Sequence, residues 1–548
     1  MKKIFLIFTA AVVFFSCEKA GKPIDRKALI DRNCPQVEGF DSLASLSAGN
    51  GDFCFTVDAT GLQTFPERYR NGVPLGTQSS WGWHSFPNPQ KYRFEETLKE
   101  YDFGHDGRKE LYAVQHDAGR PNAAADWYRA NPHRLHLGYV GFELDSSRFK
   151  VQGSKSRLDL WTGMIYSRFD YEGDSVTVKT AVSSEKDMIA AEIKTGLFQK
   201  GKLAVNLRFP YPTGNHTDDA TDFSAPEKHK TEVILHAENQ LVLKRTIDST
   251  RYFVVFRTEQ PFIWEEKQAH YFVLIPENEN FTFTVEFTEH PDLIETTLAA
   301  PNEEKVENPA QVFAASTDYW QKFWTEGAAV DFSECTDPRA KELERRVVLS
   351  QYLLAINSAG MYPPQETGLT YNSWFGKFHL EMIWWHEAQF ALWNRPKLLE
   401  RTMDWYEKAA PIAREIAERQ GFKGIRWMKM TDPGGLEAPS GVGSFLIWQQ
   451  PHYIYLAELL YRDTPTDSTL DRYYRLVQET AEFMYDFADY EADKDRFVLK
   501  GIIPAQETLP AAETVNPPFE LSYWHLGLLL AQQWRERKGE KRNAEWDI

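Results

Sequence analysis

The sequence predicts an N-terminal antiparallel β-sandwich followed by a helical domain, and two patterns of apolar residues support this fold class. Before residue 300, apolar and polar residues alternate in many short runs, which is the period of half-buried strands. After residue 338, apolar residues recur every three or four positions, as on the buried face of a helix. We place the sandwich at 46–300, a linker containing a helix at 301–336 and the helical domain at 337–548.

The strand prediction depends on five runs in which apolar side chains alternate with polar ones or form short clusters. These runs are Val176–Val182, Leu203–Phe209, Leu241–Leu243, Tyr252–Phe256 and Phe281–Thr288. Many short strands with few helical patterns among them are typical of an antiparallel sandwich.

The helical domain is predicted to contain six helices, and an aromatic helix precedes them in the linker at about Val312–Trp324. The pair Asp337-Pro338 starts the first of the six, because proline favours the first helical position. The other five are expected at about Phe378–Leu392, Lys397–Gln420, Gln450–Tyr461, Thr469–Ala488 and Phe519–Lys538.

Three long loops follow the first, third and fifth of these helices, at Asn357–Gly376, Gly421–Gly443 and Lys500–Pro518. Long loops inside a compact domain are usually functional. If consecutive helices alternate in direction, all three loops share one end of the domain. We therefore expect them to line one pocket.

The composition excludes several classes of partner and cofactor. The chain has 62 Lys and Arg against 79 Asp and Glu, a net charge of −17, which argues against nucleic-acid binding because phosphate contacts need clustered cations. No glycine-rich phosphate loop follows a strand, so no nucleotide cofactor is implied. The segment His386–Phe390 resembles the zinc motif H-E-x-x-H but lacks its second histidine, so we expect no metal. The sequence sets no oligomeric state.

The first residues are typical of an export signal. Lys2 and Lys3 precede the uncharged, mostly apolar run Ile4–Ser16, which is too short to span a bilayer and fits the core of a signal peptide. Cys17 then stands where bacterial lipoproteins carry the cysteine that becomes lipidated. We expect a signal peptide at 1–16, a lipid-anchored tether at 17–45, and a location in the periplasm or cell envelope. A plain secretory signal with an incidental cysteine is the alternative.

Several motifs resemble those of the six-hairpin glycosidases, most closely glycoside hydrolase family 65 and more distantly family 95. Gly49–Phe53 and Asp58–Gln63 resemble the N-terminal sandwich of these enzymes, and Gly421–Gly424 resembles the segment that opens a long substrate loop in family 65. Phe378–Glu381 stands where family 65 has Phe-Trp-Asp-Thr-Glu, and Pro504–Glu507 where it has Gly-Pro-Asp-Glu. The resemblance implies a β-sandwich, a helical linker and an (α/α)6 toroid that acts on glycosidic bonds.

The chain departs from these families in three ways. Phe378-His379 replaces the Trp-Asp of family 65, and Lys377 and His379 replace an Asn pair of family 95, so the substrate is expected to differ from α-glucosides. A closed toroid also needs twelve helices, whereas we predict six after Pro338. We expect the toroid to be incomplete in this chain, either because the sequence is part of a longer protein or because the toroid is half built.

Glycoside hydrolysis needs a protonated carboxyl and a second carboxylate that acts as base or nucleophile. The resemblance makes Glu507 the general acid. Glu366, in a second Pro-x-Gln-Glu-Thr, and Asp432, in the glycine-rich loop, are candidate partners; Glu437 is a further candidate in that loop. Glu381 is either a site residue or a buried structural carboxylate. Carboxylates that converge should raise at least one pKa, and we expect Glu507 to hold the proton.

Aromatic side chains are candidates for stacking on sugar rings. Trp374 and Trp427 lie in the predicted loops, and Trp81 and Trp83 lie on a sandwich loop that is expected to reach the pocket. His379 stands where family 65 has an aspartate that contacts sugar. The sequence thus predicts an exported glycosidase with a carbohydrate substrate, and the resemblance to family 65 implies inversion at the anomeric carbon. The alternatives are a glycoside phosphorylase and a non-catalytic glycan-binding lipoprotein.

Overall fold

The computed structural model describes residues 23–144, 151–292, 294 and 307–547. The predicted signal peptide, Cys17 and the beginning of the linker lie outside the described residues. Within them, no helix is both long enough and apolar enough to cross a membrane.

The first half of the chain is built from short antiparallel strands. They are β1 (Gln36–Glu38), β2 (Leu46–Gly49), β3 (Phe53–Val57), β4 (Thr77–Ser79), β5 (Trp83–His84), β6 (Leu98–Tyr101), β7 (Glu110–Ala113), β8 (His133–Arg134), β9 (Tyr139–Glu143), β10 (Gln152–Asp159), β11 (Met164–Tyr171), β12 (Asp174–Val182), β13 (Met188–Lys194), β14 (Ala204–Arg208), β15 (Thr217–Asp218), β16 (His229–Ala237), β17 (Gln240–Ile247), β18 (Thr250–Thr258), β19 (Phe262–Gln268), β20 (Tyr271–Pro276) and β21 (Asn280–Thr288). Three short helices lie among them: α1 (Arg26–Asp31), α2 (Pro66–Tyr69) and α3 (Gly119–Ala130).

Two sheets pack face to face, which confirms the predicted antiparallel β half. The large sheet has the strand order β1-β10-β11-β12-β13-β21-β18-β17-β16, and the smaller sheet has the order β19-β20-β14-β9. Their inner faces meet through aromatic pairs, with ring centroids 5.6 Å apart for Phe142 and Phe169 and 5.1 Å apart for Phe256 and Phe262. Apolar side chains at alternate positions of each strand therefore fill the space between the sheets.

The linker helix α4 (Pro309–Glu326) covers part of the outer face of the large sheet. Val312 and Phe313 pack on Met188 and Ala190 of β13 in one buried cluster. The Trp324 indole N–H donates to the Leu160 carbonyl at 2.6 Å. Strand β21 was expected to be half buried, but its outward Thr284 and Glu286 are buried as well, because α4 and its neighbours cover that face.

The second half of the chain contains the six expected helices. They are α5 (Ala340–Ser358), α6 (Ile383–Leu392), α7 (Pro396–Arg419), α8 (His452–Asp463), α9 (Asp467–Phe487) and α10 (Pro518–Arg537). Their loops contain the short strands β22 (Asn372–Ser373), β23 (Phe378–His379), β24 (Met430–Thr431), β25 (Asp489–Glu491) and β26 (Arg496–Val498).

The helices form two layers. In one layer α8 packs on both α6 and α10, and in the other α7 packs on α9. Consecutive helices pack across the layers, and α5 contacts the sandwich strands β2 and β3. One boundary differs from the prediction: α6 begins at Ile383, because Phe378-His379 pairs with Met430–Thr431 as a two-stranded ribbon instead of continuing the helix.

The docking of α4 on the sandwich can be tested at two turn glycines. Gly163 (φ +70°) would place a Cβ 2.1 Å from Trp320 of α4, whereas Gly173 (φ +81°) has nothing within 4 Å. Both alanine substitutions carry the cost of a left-handed backbone, about 1–2 kcal/mol. Only Gly163→Ala adds a clash, so we expect it to lower the free energy of unfolding by roughly 1–3 kcal/mol more than Gly173→Ala. Urea unfolding measures both, and equal losses would contradict the docking.

Candidate active site

The three long loops of the helical half meet at one end of it. The β23–β24 ribbon joins the loop after α5 to the loop after α7, with Phe378 opposite Thr431. The Leu380 backbone N–H also donates to the Lys429 carbonyl at 2.8 Å. The loop after α9 completes the group, because Glu507 Oε1 lies 3.9 Å from Lys429 Nζ. The expected convergence of the loops is thus present.

Lys429 lies at the centre of this end. Its Nζ is 3.2 Å from Glu381 Oε1, 3.9 Å from Glu507 Oε1 and 4.9 Å from the centroid of the Trp374 ring. Glu381 Oε1 and Glu507 Oε1 are therefore at most about 7 Å apart, the sum of their distances to Lys429 Nζ. One ammonium therefore bridges two carboxylates from different loops.

Glu381 is the buried member of this pair. Only 4% of the residue is exposed, and its Oε2 has no hydrogen-bond partner among the described residues. Burial raises the pKa of Glu381 to about 7, the Lys429 ammonium opposes that shift, and the neighbouring Glu366 adds to it. A raised pKa was expected at Glu507 through convergence with Glu366 and Asp432, whereas the raised pKa described here belongs to Glu381. Its main cause here is loss of solvent rather than repulsion between acids.

Glu507 occupies the exposed rim. Its side chain is 40% exposed, and its backbone has φ +59°. Its N–H donates to the Pro504 carbonyl at 2.8 Å, and the Ala505 N–H donates to Glu520 Oε1 of α10 at 2.6 Å. A non-glycine residue rarely adopts this left-handed conformation, and such strain persists where the surrounding structure holds it, often at functional sites.

Trp374 lies in a second strained segment. Trp374, Phe375 and Gly376 have successive positive φ values of 51°, 60° and 74°. The sandwich supports this turn, because the Phe375 N–H donates to the His216 carbonyl at 3.1 Å and the His216 ring lies 4.2 Å from that of Trp374. The indole of Trp374 is therefore held, partly exposed, next to Lys429.

Glu366 and His379 face each other beside Trp374. His379 is fully buried, and burial together with the nearby Lys429 lowers its pKa to about 3. Its Nδ1–H donates to the Lys377 carbonyl at 3.0 Å, so its Nε2 carries a lone pair. Glu366 Oε2 is 3.7 Å from that nitrogen. Both atoms are acceptors, so they do not bond to each other, and a sugar hydroxyl, which has one hydrogen, could donate to one of them.

Asp432 and Glu437 have structural contacts. The Asp432 carboxylate accepts the backbone N–H groups of Gly434 and Leu436, both at 2.9 Å, and so caps its own turn. Burial raises its pKa. Glu437 is buried and paired with Arg419, although it also lines a small cavity beside Trp374 and Lys429. Catalytic or sugar-binding roles for Asp432 and Glu437 stay predictions.

The prediction that Trp427 stacks on sugar is wrong. Trp427 is 2% exposed, and its indole N–H donates to Thr480 Oγ1 of α9 at 3.0 Å. Its ring packs 4.8 Å from Tyr406 and 5.9 Å from Tyr453. The start of the loop after α7 folds back between the helices, so this indole belongs to the core.

Trp81 contacts the sandwich and not the loops. Its indole N–H donates to Asp187 Oδ2 at 2.6 Å, and its ring lies 6.1 Å from Tyr252. The neighbouring Trp83 reaches the helical half instead, with its ring 5.6 Å from Phe378. Of the two tryptophans on this loop, Trp83 thus contacts the helical half, and a sugar contact of either indole stays a prediction.

Two residues at this end were not predicted from the sequence. Lys429 and His216 carry no motif, and each is far along the chain from the residues that it contacts. The only sequence signal for Lys429 was its position in a glycine-rich loop already expected at the pocket.

The raised pKa of Glu381 predicts a stability cost that depends on pH. The folded chain holds this proton more tightly than the unfolded chain, so stability falls as pH rises through the interval between the ordinary pKa of 4.5 and about 7. Glu381→Gln removes the ionisation. The free energy of unfolding of Glu381→Gln minus that of wild type should therefore be larger at about pH 8 than at about pH 5, by roughly 2–3 kcal/mol.

Urea unfolding at the two pH values measures this difference. Glu513→Gln, an exposed change in the loop after α9, is the matched control and should show no such gain. A difference between Glu381→Gln and wild type that stays constant with pH would contradict the raised pKa.

Solved structures similar to this chain come from carbohydrate-active enzymes. A human-microbiome protein assigned as a kojibiose phosphorylase is 10% identical, with 94% of this chain and 68% of that chain covered and a TM-score of 0.65. A bacterial glucoamylase complexed with acarbose (10% identical, 93% and 66% covered) and a family GH92 α-mannosidase from Bacteroides thetaiotaomicron (9%, 94% and 62%) have TM-scores of 0.47 and 0.35.

No family model and no curated protein matches the sequence. The chain spans about two thirds of the length of the similar solved structures. At 10% identity the first comparison establishes the fold alone. The chain therefore shares its fold with the protein assigned as a kojibiose phosphorylase, in line with the glycosidase-type fold that the sequence motifs predicted.

Proposed function

We propose that this chain is an enzyme that hydrolyses glycosidic bonds of oligo- or polysaccharides by carboxylate acid–base catalysis. The observation that carries the proposal is that Glu381 and Glu507, from two different loops, meet at Lys429 beside Trp374. Glu366 lies in the same loop as Glu381, 3.7 Å from His379, and is close enough to Glu381 to raise its pKa further. A protonated carboxyl, a second carboxylate and an aromatic platform are the groups that glycoside hydrolysis needs.

Glu507 is the proposed general acid, because its side chain is the exposed member of the pair at Lys429. The Lys429 ammonium would stabilise the carboxylate that remains after Glu507 has given its proton to the leaving oxygen. Glu381 has a different proposed role. One of its oxygens contacts Lys429 and the other is buried, so it holds the ammonium in place and does not touch the substrate.

Glu366 is the proposed base. Its side chain is 39% exposed, and its backbone carbonyl accepts a hydrogen bond from His386 Nε2 at 3.1 Å. It can therefore accept a proton from an attacking water molecule while its own backbone stays fixed. We propose inversion at the anomeric carbon, for which the acid and the base stand roughly 6.5–9.5 Å apart with a water molecule between them.

The remaining features complete the proposal. The partly exposed Trp374 indole would take the apolar face of a pyranose ring, and the acceptors of His379 and Glu366 would take a sugar hydroxyl. Helices α5–α10 would belong to an (α/α)6 toroid. The signal-like residues 1–16 and Cys17 would export the chain and anchor it by lipid in a bacterial cell envelope, where it meets polysaccharide.

Replacing the proposed acid tests the mechanism. We expect Glu507→Gln to lower turnover roughly 10²–10⁴-fold, the usual contribution of a general acid, without changing the unfolding midpoint. The loss should be smaller on nitrophenyl glycosides, because their leaving group needs no proton. Reducing-sugar release from a glycan panel and nitrophenol release measure the two cases.

Glu513→Gln is the matched control, since Glu513 is exposed in the same loop. It should keep wild-type turnover on every substrate. Equal activity of Glu507→Gln and Glu513→Gln would contradict the assignment of the acid. Saturable glycan binding that is unchanged in Glu507→Gln, with no product from the wild-type chain, would instead favour a non-catalytic binding protein.

Phosphorolysis is a second candidate reaction, favoured by the Lys429 ammonium beside Glu381 and Glu507 and by the phosphorylase assignment of one similar structure. In that reaction inorganic phosphate replaces water as the nucleophile. We expect cleavage to proceed in phosphate-free buffer, and added phosphate to leave the product as free sugar. Chromatography of the products distinguishes free sugar from sugar phosphate, and cleavage that strictly needs phosphate would overturn the hydrolase proposal.

A further inference from the structure

The outer face of the large sheet carries a charged groove. None of its residues belongs to the candidate active site around Lys429. The groove has a volume of about 590 Å³ and extends over strand β1 and strands β10 to β13. Side chains at alternate positions of a strand share one face. The register places Arg157 opposite Tyr166, Tyr166 opposite Lys179 and Lys179 opposite Glu192, which makes one row across four strands.

A second row runs beside the first. Lys155 lies opposite Arg168, Arg168 opposite Thr177 and Thr177 opposite Lys194. Because neighbouring strands are about 4.8 Å apart, the side chains of each row form a continuous strip. We call the surface formed by the two rows the basic groove.

The basic groove has the opposite charge to the rest of the chain. Five Lys and Arg but only two Glu line it, whereas the whole chain has a net charge of −17. Both glutamates are already paired: Glu38 lies 2.9 Å from Lys155, and Glu192 lies 2.7 Å from Lys194. Three cations thus remain in excess.

Two of the groove cations have no acidic partner. In the part of the chain that the structure describes, no carboxylate forms an ion pair with Arg157 or Arg168; Arg168 Nε donates instead to Ser175 Oγ at 3.1 Å. Guanidinium groups bind carboxylates and sulfates through two parallel hydrogen bonds. Tyr166, 41% exposed between the two arginines, adds a ring that can stack on a sugar.

We propose that the basic groove binds an acidic polysaccharide, whose carboxylate or sulfate groups pair with Arg157 and Arg168 while a sugar ring lies on Tyr166. A single exposed ring offers no stacking platform for successive bases, so single-stranded nucleic acid is a poorer match. The groove also lacks the exposed apolar side chains that would enter a bilayer. This binding is independent of the proposed hydrolysis, because the groove shares no residue with the candidate active site around Lys429.

The test uses the full chain and four probes: polygalacturonate, which is carboxylated, dextran sulfate, neutral dextran and duplex DNA. We expect the chain to bind one or both acidic polymers and to bind neutral dextran far more weakly, with affinity that falls as salt is added. Comparison of polygalacturonate with dextran sulfate identifies which anion the groove prefers. Calorimetry or affinity electrophoresis measures the binding.

Two double variants distinguish the groove from net charge. Arg157→Gln with Arg168→Gln should weaken binding roughly tenfold, since each exposed ion pair contributes up to about a factor of five. Lys230→Gln with Lys244→Gln removes the same charge from β16 and β17 of the same sheet and should leave affinity unchanged. Tyr166→Ala keeps every charge and should weaken binding several-fold through the lost stacking contact.

Three results would overturn the proposal. They are no binding of either acidic polymer by the wild-type chain, equal losses in the two double variants, and binding of neutral dextran or of duplex DNA as tight as that of the acidic polymer that binds best. Circular dichroism checks that the variants fold, and Tyr166→Ala together with the single variant Arg168→Gln keeps the test decisive if a double variant does not.

Discussion

The alternation of helix direction in the second half of the chain is the constraint on which the candidate active site depends. Only residues 393–395 separate α6 from α7, and only residues 464–466 separate α8 from α9. Connections this short force neighbouring helices to run antiparallel. The long loops after α5, α7 and α9 then leave from the opposite end together, and at that shared end Glu381, Lys429 and Glu507 meet.

The electrostatics of this end follow from one ammonium shared by carboxylates of different exposure. Glu381 is buried against Lys429, while Glu507 stands on the rim, so the same cation meets one acid in a low dielectric and another in solvent. The backbone at Glu507 and at Trp374–Gly376 is held in left-handed conformations. Strain of this kind costs free energy at each residue and persists only where surrounding contacts impose it. Each strained segment holds a side chain, Glu507 or Trp374, next to Lys429. This position connects the strain to the proposed function.

The sequence predicted what depends on local pattern and chain order. The alternation in Phe281–Thr288 and the start of the helical domain at Asp337-Pro338 are local signals, and loop convergence follows from helix order. The failures concern tertiary packing. The sequence places Trp427 in a loop, but that loop folds between α7 and α9. No local pattern of residues predicts that the Trp427 indole contacts Thr480. Phe378-His379 continues an apolar pattern, but pairing with Met430–Thr431 overrides it.

The linker helix α4 links the two halves of the structure and also limits the basic groove. Along β12 the outward residues are Thr177, which is exposed, Lys179, which is half buried, and Ala181, which is buried. The exposure of these side chains decreases at the edge of α4, where Lys179 Nζ lies 3.8 Å from the centroid of the Phe313 ring. One helix therefore makes the outer face of a single sheet apolar on one side and cationic on the other. A sheet face that is apolar on one side and cationic on the other needs strands whose outward residues change from polar to apolar along their length, as those of β12 do.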